Sequence, residues 1–269
     1  MPELSDERPI GIFDSGVGGL TVMKEVMKHL PWENILYLGD TARVPYGVRS
    51  AETVSRYSFE NAEFLVSKEI KALVIACNTS SAISLDMLRK EFPIPVIGVV
   101  EPGARAAVNI AGSRKVAVIG TETTINSRSY ERAIKSIDQT IEVTGIACPL
   151  FVPLIEEGWL DGEIVNLTAQ KYLSSIINDS AGVLVLGCTH YPMLKNVIGE
   201  IVGIPLIDSA VETAREVSSV LADKGLLRRE GNMPVMEFFV TDAPDKFVRI
   251  GEKFLEHPIG TISKVRLAE

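Results

Sequence analysis

The chain has 269 residues, 46% hydrophobic and 23% charged, with a formal net charge of −8, enough for a sizeable core and for two domains. An acidic balance with no block of like charges argues against a nucleic-acid partner, which would want a basic stripe. No apolar run reaches membrane-spanning length, the start M-P-E-L-S-D-E-R-P is polar and lacks a signal-peptide core, and the odd cysteine count (Cys77, Cys148, Cys188) suits free thiols in a reducing compartment, so a cytoplasmic protein with no membrane partner is expected.

In chain order, residues 8–13 read as a short strand and D-S-G-V-G-G (14–19) as the turn after it. Leu20, Val22, Met23, Val26, Met27 and Leu30 then fall on one helix face. A second strand is expected at 34–38, a polar loop with V-P-Y-G at 39–49, and a mostly helical stretch at 50–71 with Ser50 as its N-cap. The run L-V-I-A-C-N-T-S-S (73–81) has the wholly apolar, β-branched character of a buried parallel strand, followed at once by a helix to Glu91. A strand at 95–99 and a helix at 101–111, closed by Gly112, complete this half.

The order then restarts: strand 115–120, turn 121–124, helix 126–137, strand 140–147, a proline-punctuated loop C-P-L-F-V-P-L-I-E-E-G, and helix 163–178. Next come a strand at 182–187 ending in G-C-T-H-Y-P, a helix to Glu200, strand 205–207, helix 210–224, strand 235–241, helix 244–255 and a short strand within 261–266. Strands alternating with helices predict an α/β fold of mostly parallel sheets flanked by helices. The order repeats internally: I-P-V-I from Ile94 returns as I-P-L-I from Ile204, and Cys188 returns at the place Cys77 holds in the first half. The expectation is two pseudo-symmetric domains, one of residues 1–99 plus 210–269 and one of 100–209, with the site in the cleft between them.

Both thiols stand where a strand hands over to a loop, and open α/β sheets bind ligands outside the carboxyl ends of their strands. Four readings compete. Each cysteine could be a small buried hydrophobe. Cys77, Cys188, His190 and Asp14 could hold a metal, although no C-x-x-C pairing supports it. Cys188 with His190 could form a single-nucleophile site. Or both thiols could act on one carbon from opposite faces, one taking a proton and the other delivering one, since a thiol pKa of about 8.5 lets it serve as base or acid. Asp14 could assist Cys77 and His190 could assist Cys188. Asn78-Thr79 and Thr189-His190, each read as opening a helix, offer N–H groups and hydroxyls to a carboxylate. Asp14-Ser15 could hold an ammonium group, and Gly16, Gly18 and Gly19 could let the backbone pass close to a ligand. The glycine-rich turn is neither a dinucleotide fingerprint nor a P-loop, since Thr21 stands where the former wants glycine and no G-K-[ST] follows.

F-D-S-G-V-G-G-L (13–20), Y-L-G-D-T-A-R-V-P-Y-G (37–47), A-C-N-T-S-S-A (76–82), P-L-F-V-P-L-I-E-E-G (149–158) and G-C-T-H-Y-P (187–192) together resemble the glutamate racemases, over nearly the whole chain. The resemblance implies interconversion of L- and D-glutamate without a cofactor or metal, supplying D-glutamate for peptidoglycan, by a cytoplasmic enzyme that is usually a homodimer. It implies that Cys188 takes the proton from L-glutamate and Cys77 from the D form. Asp14, His190 and Glu156 would assist the thiols, and Asp14, Ser15, Tyr46, Gly47, Asn78, Thr79, Thr189 and His190 would contact substrate. The short polar start differs from relatives whose longer leader responds to a cell-wall precursor, so such activation is not expected. An aspartate racemase of the same family, a metal- or thiol-dependent hydrolase and a non-catalytic carboxylate-binding protein are the alternatives.

Overall fold

The protein, in a computed structural model, is described over residues 5–112 and 115–267; the first four residues of the polar start lie outside them. The first half runs β1 (Ile10–Asp14), α1 (Leu20–His29), β2 (Ile35–Gly39), α2 (Ala51–Val66), β3 (Ala72–Ile75), α3 (Asn78–Glu91), β4 (Val96–Gly98) and α4 (Val100–Ala111). The second runs β5 (Val116–Gly120), α5 (Glu122–Asn126), α6 (Ser129–Ile137), β6 (Val143–Ala147), α7 (Phe151–Glu156), α8 (Glu163–Asn178), β7 (Val183–Gly187), α9 (Lys195–Val202) and β8 (Leu206–Asp208). α10 (Ser209–Asp223), β9 (Met236–Val240), α11 (Pro244–Leu255) and β10 (Ile262–Lys264) follow.

Two parallel sheets result, ordered β10-β9-β2-β1-β3-β4 and β6-β5-β7-β8. The order β2-β1-β3-β4 is that of β6-β5-β7-β8, so the repeat seen in the sequence is a repeat of topology. β9 pairs with β2 in the first sheet, Ile35 opposite Met236, and β10 pairs with β9. The central strands β1, β3, β5 and β7 are buried throughout, which is why they read as unbroken apolar runs rather than alternating ones.

Local chemistry fixes most boundaries. Ser50 caps α2, its Oγ accepting from Thr53 N at 3.3 Å, and α4 stops at Gly112 with φ +58°. Three expectations are corrected. The helix expected over 126–137 begins only at Ser129, after Arg128 in a left-handed conformation (φ 53°), and the turn expected at 121–124 opens a short helix of its own, α5, capped by Thr121. The proline-punctuated loop contains α7: Pro153 stands in its first turn, where a missing N–H would have had no helical partner anyway. And no α-helix opens at Thr189-His190; a 3-10 turn over Tyr191–Leu194 intervenes before α9.

Candidate active site

Cys77 follows β3 and precedes the first turn of α3; Cys188 follows β7. Both are free thiols, 5% and 6% exposed, and both line one cavity of about 330 Å³. Loops at the carboxyl ends of strands from both sheets build it: Ser15 after β1, residues 44–48 after β2, Thr121 and Glu122 after β5, Pro149 and Val152 after β6. The repeat therefore delivers one thiol per half to a shared space.

The two thiols sit in different fields. Burial, reinforced by the negative charge of Asp14, pushes Cys77 up to about 11, against hydrogen bonding with Ser80 and with Ser15, whose Oγ accepts from Cys77 Sγ at 3.8 Å. Near neutral pH Cys77 is a protonated thiol. Cys188 Sγ faces His190 Nδ1 at 4.0 Å, while His190 Nε2 meets Glu156 Oε1 at 3.2 Å. Burial disfavours the imidazolium, but hydrogen bonds to Cys188 and Glu156 outweigh it and raise His190 to about 10. Glu156 is held below its ordinary value by that bond to His190, against desolvation, with Lys246 Nζ of α11 adding charge 3.5 Å away. One half is thus an acid next to an anion, and the other a thiol next to a cation.

This arrangement sets a pH window. His190 has its pKa raised above 6.5 on folding, so its contribution to stability is complete below 6.5 and is lost as pH rises through about 10. Glu156 has its pKa depressed below 4.5, so its share is present above 4.5 and is lost as pH falls through the folded value. Glu156→Gln should therefore lower the melting temperature most between pH 4.5 and 6.5 and progressively less on either side. Melts of both proteins from about pH 3 to about pH 11 check this, and a gap that does not vary with pH would refute it.

The polar groups cluster as the sequence suggested, with two differences. Asn78 accepts from Tyr130 OH at 2.7 Å, leaving its buried Nδ2 without a protein partner at the cavity wall. Thr79 Oγ1 bonds Thr121 and Thr124 at 3.0 and 3.2 Å, linking the two halves. Tyr46 and Gly47 form a 3-10 turn in the cavity wall, but the Tyr46 hydroxyl donates to Asp40 rather than to the cavity. Asp14 stands behind the wall: it is fully buried, accepting from Gly16 N at 2.9 Å and from Thr189 Oγ1 at 3.4 Å. Burial raises its pKa, against the His190 charge and these bonds. Cys148, the third thiol, is buried against the backbone of Ile146.

The sequence pattern of the Asp/Glu/hydantoin racemases matches residues 19–217. The chain belongs to this family. A glutamate racemase of Geobacter metallireducens is 54% identical over 262 residues, covering 97% of each chain. One from Neisseria meningitidis serogroup A is 46% identical over 99% of this chain and 100% of its own. The crystal structure of glutamate racemase from Francisella tularensis in complex with D-glutamate matches with a TM-score of 0.92 at 42% identity, over 97% of this chain and 98% of that one.

Within this racemase site, sequence reasoning missed Thr121, Glu122, Val44, Pro45, Pro149 and Val152 in the wall and Lys246 behind Glu156. The T-E-T-T turn carried a signal, since it follows β5 as D-S-G follows β1; Lys246 carried none. The role expected of the glycines is also corrected. Gly18 and Gly19 approach the protein's own chain, not the cavity: a Cβ at Gly18 would stand 2.3 Å from Thr189 Oγ1 and 2.5 Å from His190 Nδ1. Gly18→Ala should displace both groups and lower kcat/KM about 10²-fold, a loss of the size expected for misplacement by about an ångström. Steady-state kinetics, with far-UV spectra to confirm folding, check it; a folded variant within about twofold of wild type would refute the contact.

Proposed function

We propose that this racemase acts on glutamate, interconverting the L and D forms by removing the Cα proton to one thiol and delivering a proton from the other. The observation that carries the reading is that Cys77 and Cys188, contributed by equivalent strand ends of the two halves, line the same cavity. No cofactor has a part in the proposal: a protonated thiol and a thiol with an imidazolium neighbour supply acid and base.

Cys188, with His190 and Glu156 behind it, is assigned to L-glutamate, and Cys77, with Asp14 and Ser15, to D-glutamate. Asn78 Nδ2, the hydroxyls of Thr79, Thr189 and Ser15, and the Tyr46-Gly47 turn are assigned to the substrate's polar groups. His190 would face them too, while Asp14 would act from behind the wall through Thr189 and Cys77. The Cα proton is a very weak acid, so donors fixed around the α-carboxylate must stabilise the carbanionic transition state. The cleft domains, residues 1–99 with 210–269 and residues 100–209, a cytoplasmic location, a homodimer and a supply of D-glutamate for peptidoglycan belong to the same proposal. For location, the structure supplies only that no described helix is long and apolar enough to cross a membrane.

The test is circular dichroism of L-glutamate with the purified chain and no added cofactor, repeated in deuterated water. Decay of the signal to zero, with solvent deuterium at Cα in single-turnover product, is expected. Racemisation with the Cα hydrogen fully retained would overturn the mechanism. Faster turnover of L-aspartate would overturn the substrate.

A further inference from the structure

We propose that Asp40 is a positioning residue for substrate binding: through Tyr46 it holds the 44–48 segment in place as a wall of the reaction cavity. The inference rests on the cavity being the glutamate site.

Asp40 ends the Y-L-G-D segment of a motif that no assigned contact explains. It is completely buried, yet it does not reach the cavity. Its backbone N–H donates to Asp14 O at 3.0 Å, which ties the end of β2 to the end of β1. Its carboxylate accepts from three side chains, two in the loop after β2 and one just past the end of β9. Arg43 Nε donates to Oδ2 at 2.6 Å, the Tyr46 hydroxyl donates to the same oxygen, and Thr241 Oγ1 donates to Oδ1 at 2.9 Å. A buried carboxylate with this many oriented donors is a costly group to keep unless it holds something in place.

What it holds is Tyr46. Burial and the adjacent carboxylate keep that phenol protonated, so its hydroxyl always has a proton to donate to Asp40. Asn61 Nδ2 donates to the same hydroxyl at 2.9 Å, so the oxygen is held from both sides. With its tip anchored, the side chain pins the Tyr46–Val48 turn, and residues 44–48 all line the cavity. Arg43 completes the post: it also pairs with Glu60 of α2, and its guanidinium lies 4.1 Å from the centre of the Tyr57 ring, which packs on Tyr46. Cys77 packs in one buried cluster with Tyr46 and Val54, but its main chain is set separately, at the β3–α3 junction where it is the N-cap residue of α3. Loss of Asp40 should therefore loosen ground-state and transition-state binding alike and leave proton transfer nearly intact.

The experiment is steady-state racemisation of L- and D-glutamate by Asp40→Ala, Tyr46→Phe and the double variant, with thermal melts of each. Asp40→Ala should raise KM about tenfold with kcat within about threefold. Tyr46→Phe should raise KM less, and the double variant should match Asp40→Ala, because the two residues act as one unit. A folded Asp40→Ala with unchanged KM, a fall in kcat at constant KM, or additive effects in the double variant would each overturn the inference, the first even if the melting temperature drops. Should Asp40→Ala fail to fold, Tyr46→Phe decides alone: a raised KM at unchanged kcat supports the role and wild-type KM refutes it. Failure of the wild-type protein to racemise glutamate would instead overturn the underlying reading.

Discussion

Cys77→Ser and Cys188→Ser should each lower glutamate racemisation by at least about 10³-fold, within the 10²–10⁴ range of positioned acid–base catalysis. A serine hydroxyl fits the space of either thiol but is a far weaker acid, and neither the His190 imidazolium beside position 188 nor the Asp14 carboxylate near position 77 brings it close to a thiol's pKa. The two losses should differ in what they leave behind. With Cys77 gone, Cys188 and its His190–Glu156 partners are intact. That variant should still exchange the Cα hydrogen of L-glutamate with deuterated water, returning it to the same face without inversion. Cys188→Ser should do the mirror experiment and exchange only D-glutamate. Proton NMR of each enantiomer in deuterated water reads this directly. Full racemisation by either variant, or both variants exchanging the same enantiomer, would end the assignment of one thiol to each face.

Much of this was legible in the sequence because the information is local. An apolar β-branched run ending in Ala-Cys or Gly-Cys specifies both a buried parallel strand and the loop position of its thiol, so Cys77 and Cys188 were found with their neighbours Asn78, Thr79, Thr189 and His190. The repeat then implied that they meet. What escaped needed knowledge of packing. Pro149 and Pro153 read as breakers, although Pro149 precedes the N-cap of α7 and Pro153 stands in its first turn, where a proline is tolerated. Asp14 looked like an open ligand group because it ends a strand, but the glycines after it let Thr189 and His190 close over it. Lys246 acts only across a long sequence separation, and Asp40 meets Tyr46 and Arg43 only in the folded loop, neither of which periodicity records. The asymmetry of the two halves was half-visible: His190 follows Cys188 in sequence, while the anion near Cys77 arrives from another strand.

The largest stability effect should come from Lys71→Met, at the other end of the strands from the cavity. Lys71 precedes β3 and Glu33 precedes β2, and their side chains, 0% and 1% exposed, meet at 2.5 Å. Each has further partners: Lys71 Nζ donates to Asp6 O at 2.8 Å, and Glu33 Oε1 accepts from Arg228 N at 2.8 Å. Glu33 Oε2 has only the ammonium. Removing the ammonium leaves a carboxylate buried and unpaired, a change that costs about 3–5 kcal/mol. At about 2–4 °C per kcal/mol for a chain somewhat smaller than this one, the melting temperature should fall by roughly 6–20 °C. Lys71→Met with Glu33→Gln removes the orphaned charge while keeping an acceptor for Arg228, and should recover at least about 1 kcal/mol of that loss. Racemisation at room temperature should be unchanged in both variants, since the substitution lies at the amino ends of strands whose carboxyl ends form the site. Denaturant titration settles the energetics. A single variant less than about 1 kcal/mol below wild type, or a double variant worse than the single, would mean that the pair is not what ties these strand ends together.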